Sequence, residues 1–295
     1  MKKILTFAAF AAVMAGCGES DDGDSDEPTT PTTSTSDAQI VVGNVSSSSF
    51  NSTDGTLTVQ INLDGDDTLQ EYVAAGTLNG YSRFTQQDDD LDRAYTALAG
   101  ESDDGSVQAT VVIDGGQFNR YFGGGTVTQN NYTAPTSGLV SYAGDYAGVS
   151  NVGPVADNPN NADPSLLPAT AVDVTGTVFI NADFTDNVLN GAVYDRVMDY
   201  DGTDIDLQDV VLTVTSIEAD GSFTGSVEFG DLTPVGGYDG AFGGDDASSV
   251  AGVVSLTEGF LEGVSQFDEV IGEAEYGVFV IDQCPTGGAE CFGTE

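Results

Sequence analysis

The chain has 295 residues, with 48 Asp plus Glu against 6 Lys plus Arg, and it contains neither His nor Trp. Lacking imidazole, it cannot build a Ser-His-Asp or Cys-His catalytic arrangement, an HExxH metalloprotease or most zinc sites, because each needs that ring as base or ligand. A formal net charge of −42 argues against nucleic acid as a partner, since Lys and Arg supply affinity for phosphate. It equally disfavours docking on anionic lipid.

The N-terminus reads as an export signal: Lys2 and Lys3 give the charged region, and Ile4 to Ala15 a short apolar run. That run falls short of the roughly 20 residues a spanning helix needs. It ends in Met14-Ala15-Gly16-Cys17, which resembles a bacterial lipobox, so residues 1–16 are expected to be removed and Cys17 to carry the lipid (diacylglycerol with palmitate-type chains). Gly18 stands where an inner-membrane retention signal would place Asp, which favours the cell outer membrane, with the protein exposed at the surface and held by its anchor alone. Residues 17–37, polar, acidic and rich in Ser, Thr and Pro, are expected to be a disordered tether. Beyond Lys3, only Arg83, Arg93, Arg120 and Arg196 are basic.

From Ala38 onward, apolar residues alternate with polar ones at period two, punctuated by Gly, Asn and Asp, with no long 3.6-residue period. The expected strands are Ile40 to Val45, Gly55 to Leu63, Val73 to Leu78, Tyr95 to Ala99, Val107 to Ile113 and Gly124 to Gln129. A second series follows: Gly138 to Ser150, Val172 to Asp183, Val188 to Arg196, Val210 to Ile217, Ser222 to Phe229, Gly237 to Phe242, Ser249 to Leu256 and Glu275 to Asp282. Turn signals such as Ala219-Asp220-Gly221 separate neighbours, and Val152 to Pro168, with four prolines, reads as a long surface loop. Short connections of this kind suit an antiparallel up-and-down barrel rather than a parallel sheet with helical crossovers.

Gly240 to Gly252 reads G-A-F-G-G-D-D-A-S-S-V-A-G, and it resembles the signature of the transferrin-binding protein B barrel domain, Gly-x-Phe-Tyr-Gly-Pro-x-Ala-x-Glu-x-Gly/Ala-Gly. Gly240, Phe242, Gly244, Ala247, Ala251 and Gly252 match in register, while Gly243, Asp245 and Ser249 replace the Tyr, Pro and Glu of the pattern. Val174 to Phe184, followed by Val188 to Val193, is similar to an earlier hairpin of the same barrel. The resemblance implies an all-β chain: an antiparallel up-and-down eight-stranded β-barrel over residues 138–283, preceded by a small β handle subdomain over 38–137. It implies a single-lobed surface lipoprotein that binds an extracellular protein or an iron or haem carrier, with an outer-membrane transporter as a further partner it would allow. It implies neither transferrin itself nor a resident cofactor.

In an exported chain, Cys284 and Cys291 are expected to form a disulfide that closes a loop in the C-terminal tail, 284–295. Asp199, Asp201 and Asp204 offer oxygens that calcium would accept, but their spacing is not that of an EF-hand, and solvated acidic loops account for them. Arg120 and Arg196 are expected to pair with nearby acids. No G-x-S-x-G elbow, P-loop or CxxC pair is present, so the reading is non-catalytic. The readings from other classes are an acidic structural or adhesion component of the cell surface, and a weak calcium-binding module. Abundant Asp and the lack of lysine after Lys3 fit adaptation to saline water.

Overall fold

The structure, a computed structural model, describes residues 39–118, 120–136, 138–152, 167–257, 259–261, 263–264, 267, 272–285 and 291. The leader, Cys17, the tether and most of the Val152 to Pro168 loop lie outside the described residues.

Among the described residues every regular element is a strand. The first series comprises β1 (Gln39–Gly43), β2 (Val45–Asn51), β3 (Thr56–Leu63), β4 (Asp66–Leu78), β5 (Tyr81–Gln86), β6 (Tyr95–Glu101), β7 (Val107–Asp114) and β8 (Gly123–Gln129). The second comprises β9 (Leu139–Asn151), β10 (Val172–Asp183), β11 (Val188–Tyr200), β12 (Thr203–Asp206), β13 (Val210–Ser216), β14 (Ser222–Phe229), β15 (Pro234–Gly243), β16 (Ser249–Leu256) and β17 (Ala274–Asp282).

In the second sheet each strand pairs antiparallel with its sequence neighbour, apart from the short β12, which extends the end of β11. The β17–β9 and β10–β11 ladders close the circuit, giving the expected up-and-down barrel of eight strands: β9, β10, β11 and β13 to β17. Among the described residues closure leaves β12 as the sheet's one open edge, a strand of four residues too short to recruit another chain readily. The eight strands of the first sheet run in the order β1-β8-β7-β6-β5-β4-β3-β2, so sequence neighbours β1 and β2 form its two ends. Across that seam one side chain replaces a ladder. The Gln39 carboxamide donates to Ser48 O at 2.8 Å and accepts from Ser48 N at 3.2 Å, as an opposing peptide group would.

Alternation along the strands divides the apolar residues among three cores. Val178, Phe223, Phe242, Val250 and Phe279 fill the barrel, while Leu57, Val59, Phe84, Ala97 and Val112 fill the first sheet. Between them lies a third core, in which Val107, Ala109, Val111 and Ile113 of β7 meet Ala251 and Val253 of β16 and Val278 of β17. β7 therefore has both faces covered, which explains why its run VQATVVID carries little polar alternation.

Candidate binding surface

The signature segment serves the packing of the barrel. Phe242 is fully buried, and its ring stacks at centroid distances of 5.4 Å on Tyr142, 5.2 Å on Phe184 and 5.4 Å on Phe223. A Cβ on Gly240 would come within 2.4 Å of the Phe223 ring, and one on Gly252 within 2.3 Å of the Phe279 ring. Each ring lies over the glycine directly opposite it in the ladder, so the bare backbone makes room for the aromatic and the aromatic covers the backbone. Gly244 has φ +77°, and a Cβ there would sit 1.9 Å from Ser248 Oγ. Ala247 O accepts the buried Tyr142 hydroxyl at 2.6 Å, and Ala251 faces the first sheet. Gly243, which replaces the tyrosine of the family pattern, lies where a Cβ would meet Val107 Cγ1 at 2.5 Å: the first sheet occupies that space.

Inside the barrel one ion pair accompanies the aromatics. Arg196 on β11 donates from Nη2 to Glu275 Oε2 on β17 at 2.7 Å and from Nη1 to Gln208 O at 2.7 Å. Both side chains of the pair are fully buried. The Tyr146 hydroxyl donates to Glu275 Oε1 at 2.6 Å. Burial first, and the neighbouring carboxylate second, push that phenol well above its ordinary pKa. Arg196 thus pairs across 79 positions of sequence, and Arg120 reaches Asp64 across 56. Neither partner is a near neighbour in the chain.

The two sheets share one direction. Gln39, where β1 begins, pairs with Thr128 near the end of β8, and Asp282, where β17 ends, pairs with Ser249 at the start of β16. Hydrogen bonds fix these ends together: Ser248 Oγ to Asp104 at 2.9 Å, and Gln129 Nε2 to Asp220 O at 2.8 Å and to Phe242 O at 2.6 Å. At the opposite end Ala169 N donates to Gly116 O at 2.9 Å. That far end carries connections 87–94, 115–122, 152–171 and 257–273, whereas the end where β1 enters and β17 leaves has tighter turns, such as 79–80, 184–187 and 217–221. From the 79–80 turn Asn79 Nδ2 donates to Tyr146 O and Gly176 O at 2.9 Å each, and farther along β5 Arg83 Nε holds both oxygens of Asp173 at 3.1 and 3.0 Å. These bonds therefore hold the strands of the two sheets in a fixed relation to each other.

A cleft of about 880 Å³ opens between the sheets near the entry end, bordered by Glu101, Asp103, Asp104, Asp145 and Asp282. Asp199 at the end of β11, Asp201 in the turn and Asp204 in β12 lie on one hairpin. Asp199 faces Asp204 across the ladder and accepts from Gly202 N at 3.0 Å, and Asp201 takes φ 52°. The turn thus forms a hairpin where the sequence suggested a loop, and among the described residues no group of three or more acids, His or Cys is placed to hold a metal. Cys284 and Cys291 are joined in a disulfide, with their Cα atoms 5.4 Å apart.

No protein-family model and no curated protein matches the chain. Among solved structures it is similar to an intact transferrin-binding protein B with N and C lobes, described as Ap-TbpB, at 14% identity and a TM-score of 0.43 over 83% of this chain and 46% of that one. A double mutant of the same protein from Haemophilus parasuis Hp5 gives 16% identity and a TM-score of 0.43, covering 83% of this chain and 44% of that one. The isotype 1 protein from serogroup B Neisseria meningitidis gives 12% and 0.38, covering 83% and 43%. The chain thus spans less than half the length of each of these proteins.

Proposed function

We propose that the chain is a non-catalytic surface lipoprotein, anchored through Cys17 at the outer membrane, that binds an extracellular protein or an iron or haem carrier. The observation that carries this reading is the pairing of a lumen packed with aromatics with a loop-rich end on the side away from Gln39. A filled barrel leaves the surface as the place for recognition, and a tether joined at Gln39 would hold the loop-rich end outward. The fixed seating of one sheet on the other suits binding, because holding the strand ends in place lowers the entropy lost on association.

The test is capture of extracellular proteins and haem carriers of the native habitat by the full chain, at low and at seawater-like salt. A stoichiometric partner retained at high salt is the expected result. A folded bait that retains none would favour the acidic surface-coat reading instead.

A further inference from the structure

Phe118 sits where the fold has little use for it. Gln117 N donates to Arg120 O at 2.9 Å and Arg120 N returns to Gln117 O at 3.1 Å, so Phe118 lies inside the turn that this pair closes between β7 and β8. Its φ is 56°, a left-handed conformation that Gly and Asn adopt easily and a bulky side chain resists. The residue is nevertheless 56% exposed. The same combination recurs at Leu232 in the β14–β15 turn, with φ 72° and 72% exposure, at the same loop-rich end.

The Phe118 turn is braced from beneath. Arg93 donates from Nη1 to Arg120 O at 2.9 Å and to Asp114 Oδ2 at 2.5 Å, and from Nη2 to Gln117 O at 3.1 Å. Asp114 Oδ1 accepts from Gly116 N at 3.0 Å and Phe122 N at 3.2 Å. The guanidinium carbons of Arg93 and Arg120 lie 4.7 and 5.2 Å from the centroid of the Phe122 ring, and Arg120 pairs with Asp64 in the β3–β4 turn. Gln117 Nε2 holds Leu91 O at 2.9 Å, which ties the Phe118 turn to the loop that displays Leu91, 66% exposed. Two of the four arginines beyond Lys3 are therefore committed to holding one unfavourable turn in place. Local strain that the surroundings enforce is a mark of a working surface, and a rigid exposed aromatic is the usual form of a binding anchor.

We propose that Phe118, flanked by Leu91, is the residue with which this chain docks its protein partner, and that the partner presents an apolar socket rimmed by Lys and Arg. Asp64, Asp88, Asp89, Asp90 and Asp92 lie exposed on the two connections joined to the turn, and Asp66 lies exposed at the start of β4 beside them. They repel nucleic acid and anionic lipid and complement a basic rim. This inference rests on the receptor reading above and adds the contact residue and the chemistry of the partner.

The test pans a phage-displayed random dodecapeptide library on the full chain at seawater-like salt, then measures the enriched peptide against variants. Wild type should enrich peptides that join an apolar residue to Lys or Arg. Phe118→Gly should weaken the selected peptide at least tenfold while the thermal midpoint holds or rises, because glycine accepts this φ without strain. Leu139→Ala, an exposed apolar residue at the entry end, should change neither. A lower midpoint in Phe118→Gly would show that the ring packs within the fold, and would overturn the proposal. Undiminished peptide binding by that variant would overturn it too, while leaving the receptor reading in place. No enrichment by wild type would also overturn the proposal, while the receptor reading stands or falls with the capture of extracellular proteins described above.

Discussion

Ser248 of the barrel donates its hydroxyl to Asp104, on the β6–β7 hairpin of the first sheet, at 2.9 Å. The same carboxylate accepts from Ser102 Oγ at 2.8 Å and Ser106 N at 2.9 Å. Burial works against its ionised form, but the hydrogen bonds from Ser106, Ser102 and Ser248 outweigh it and lower the pKa from 3.8 to about 2. One acid thus joins a hairpin of one sheet to a turn of the other.

The sign of the pH effect follows from that lowered value. The contribution of Asp104 to stability is present above the unfolded value of 3.8 and is lost as pH falls through about 2. Other acids titrate in the same window, so the informative quantity is a difference between variants. The urea midpoint of Asp104→Asn should lie below that of wild type at pH 6, and the two should converge near pH 2. A constant gap across that range would contradict the assignment.

Removing one member of the lumen ion pair should cost more than removing both. Arg196→Met leaves the Glu275 carboxylate buried with only the Tyr146 hydroxyl as partner, a loss of roughly 3–5 kcal/mol for a broken buried pair. Arg196→Met combined with Glu275→Leu should recover much of that loss in a denaturant titration. A double variant as unstable as the single one would mean that the pair is a net source of stability.

The glycine–aromatic pairs of the barrel predict a loss on adding a single methyl. Gly252→Ala would drive a Cβ into the fully buried Phe279 ring, and also to 2.9 Å from Asp239 O. The expected destabilisation is about 1–3 kcal/mol, as for other overpacked cores. Gly230→Ala, at a position with nothing within 4 Å of the added Cβ, is the control and should change the midpoint little.

A formal charge of −42 should make the fold depend on salt. Repulsion among exposed carboxylates is screened over about 10 Å at 0.1 M and about 3 Å at 1 M ionic strength. Thermal midpoints measured by circular dichroism should therefore rise from low salt to about 1 M NaCl. A flat response would count against adaptation to saline water.

The barrel was legible in the sequence because its strands are apolar, β-branched runs bounded by turn residues, whether they alternate, as β10 does, or are covered on both faces, as β16 is. β10, β14 and β16 run over the residues that this pattern picks out, Val172–Asp183, Ser222–Phe229 and Ser249–Leu256. The missed strands lack that signal. β2 reads VSSSSFN and buries only Val45 and Phe50, and β5 reads YSRFTQ with an arginine at its centre. β12 is TDID, whose acids disguise a hairpin as a solvated loop. Pairings such as Arg196 with Glu275 were not legible, since the ladder that joins distant strands decides them. Phe118 left no sequence signal beyond an aromatic beside Asn119. Its meaning comes from a backbone conformation and from the two arginines beneath it, which only the folded chain displays.

Hydrogen exchange on the full chain, alone and saturated with the protein it captures, locates the binding surface. Exchange is expected to slow in connections 87–94 and 115–122, at the end of the molecule away from Gln39. Slowing confined to the entry-end turns at 79–80, 102–105 and 244–248 would contradict that placement.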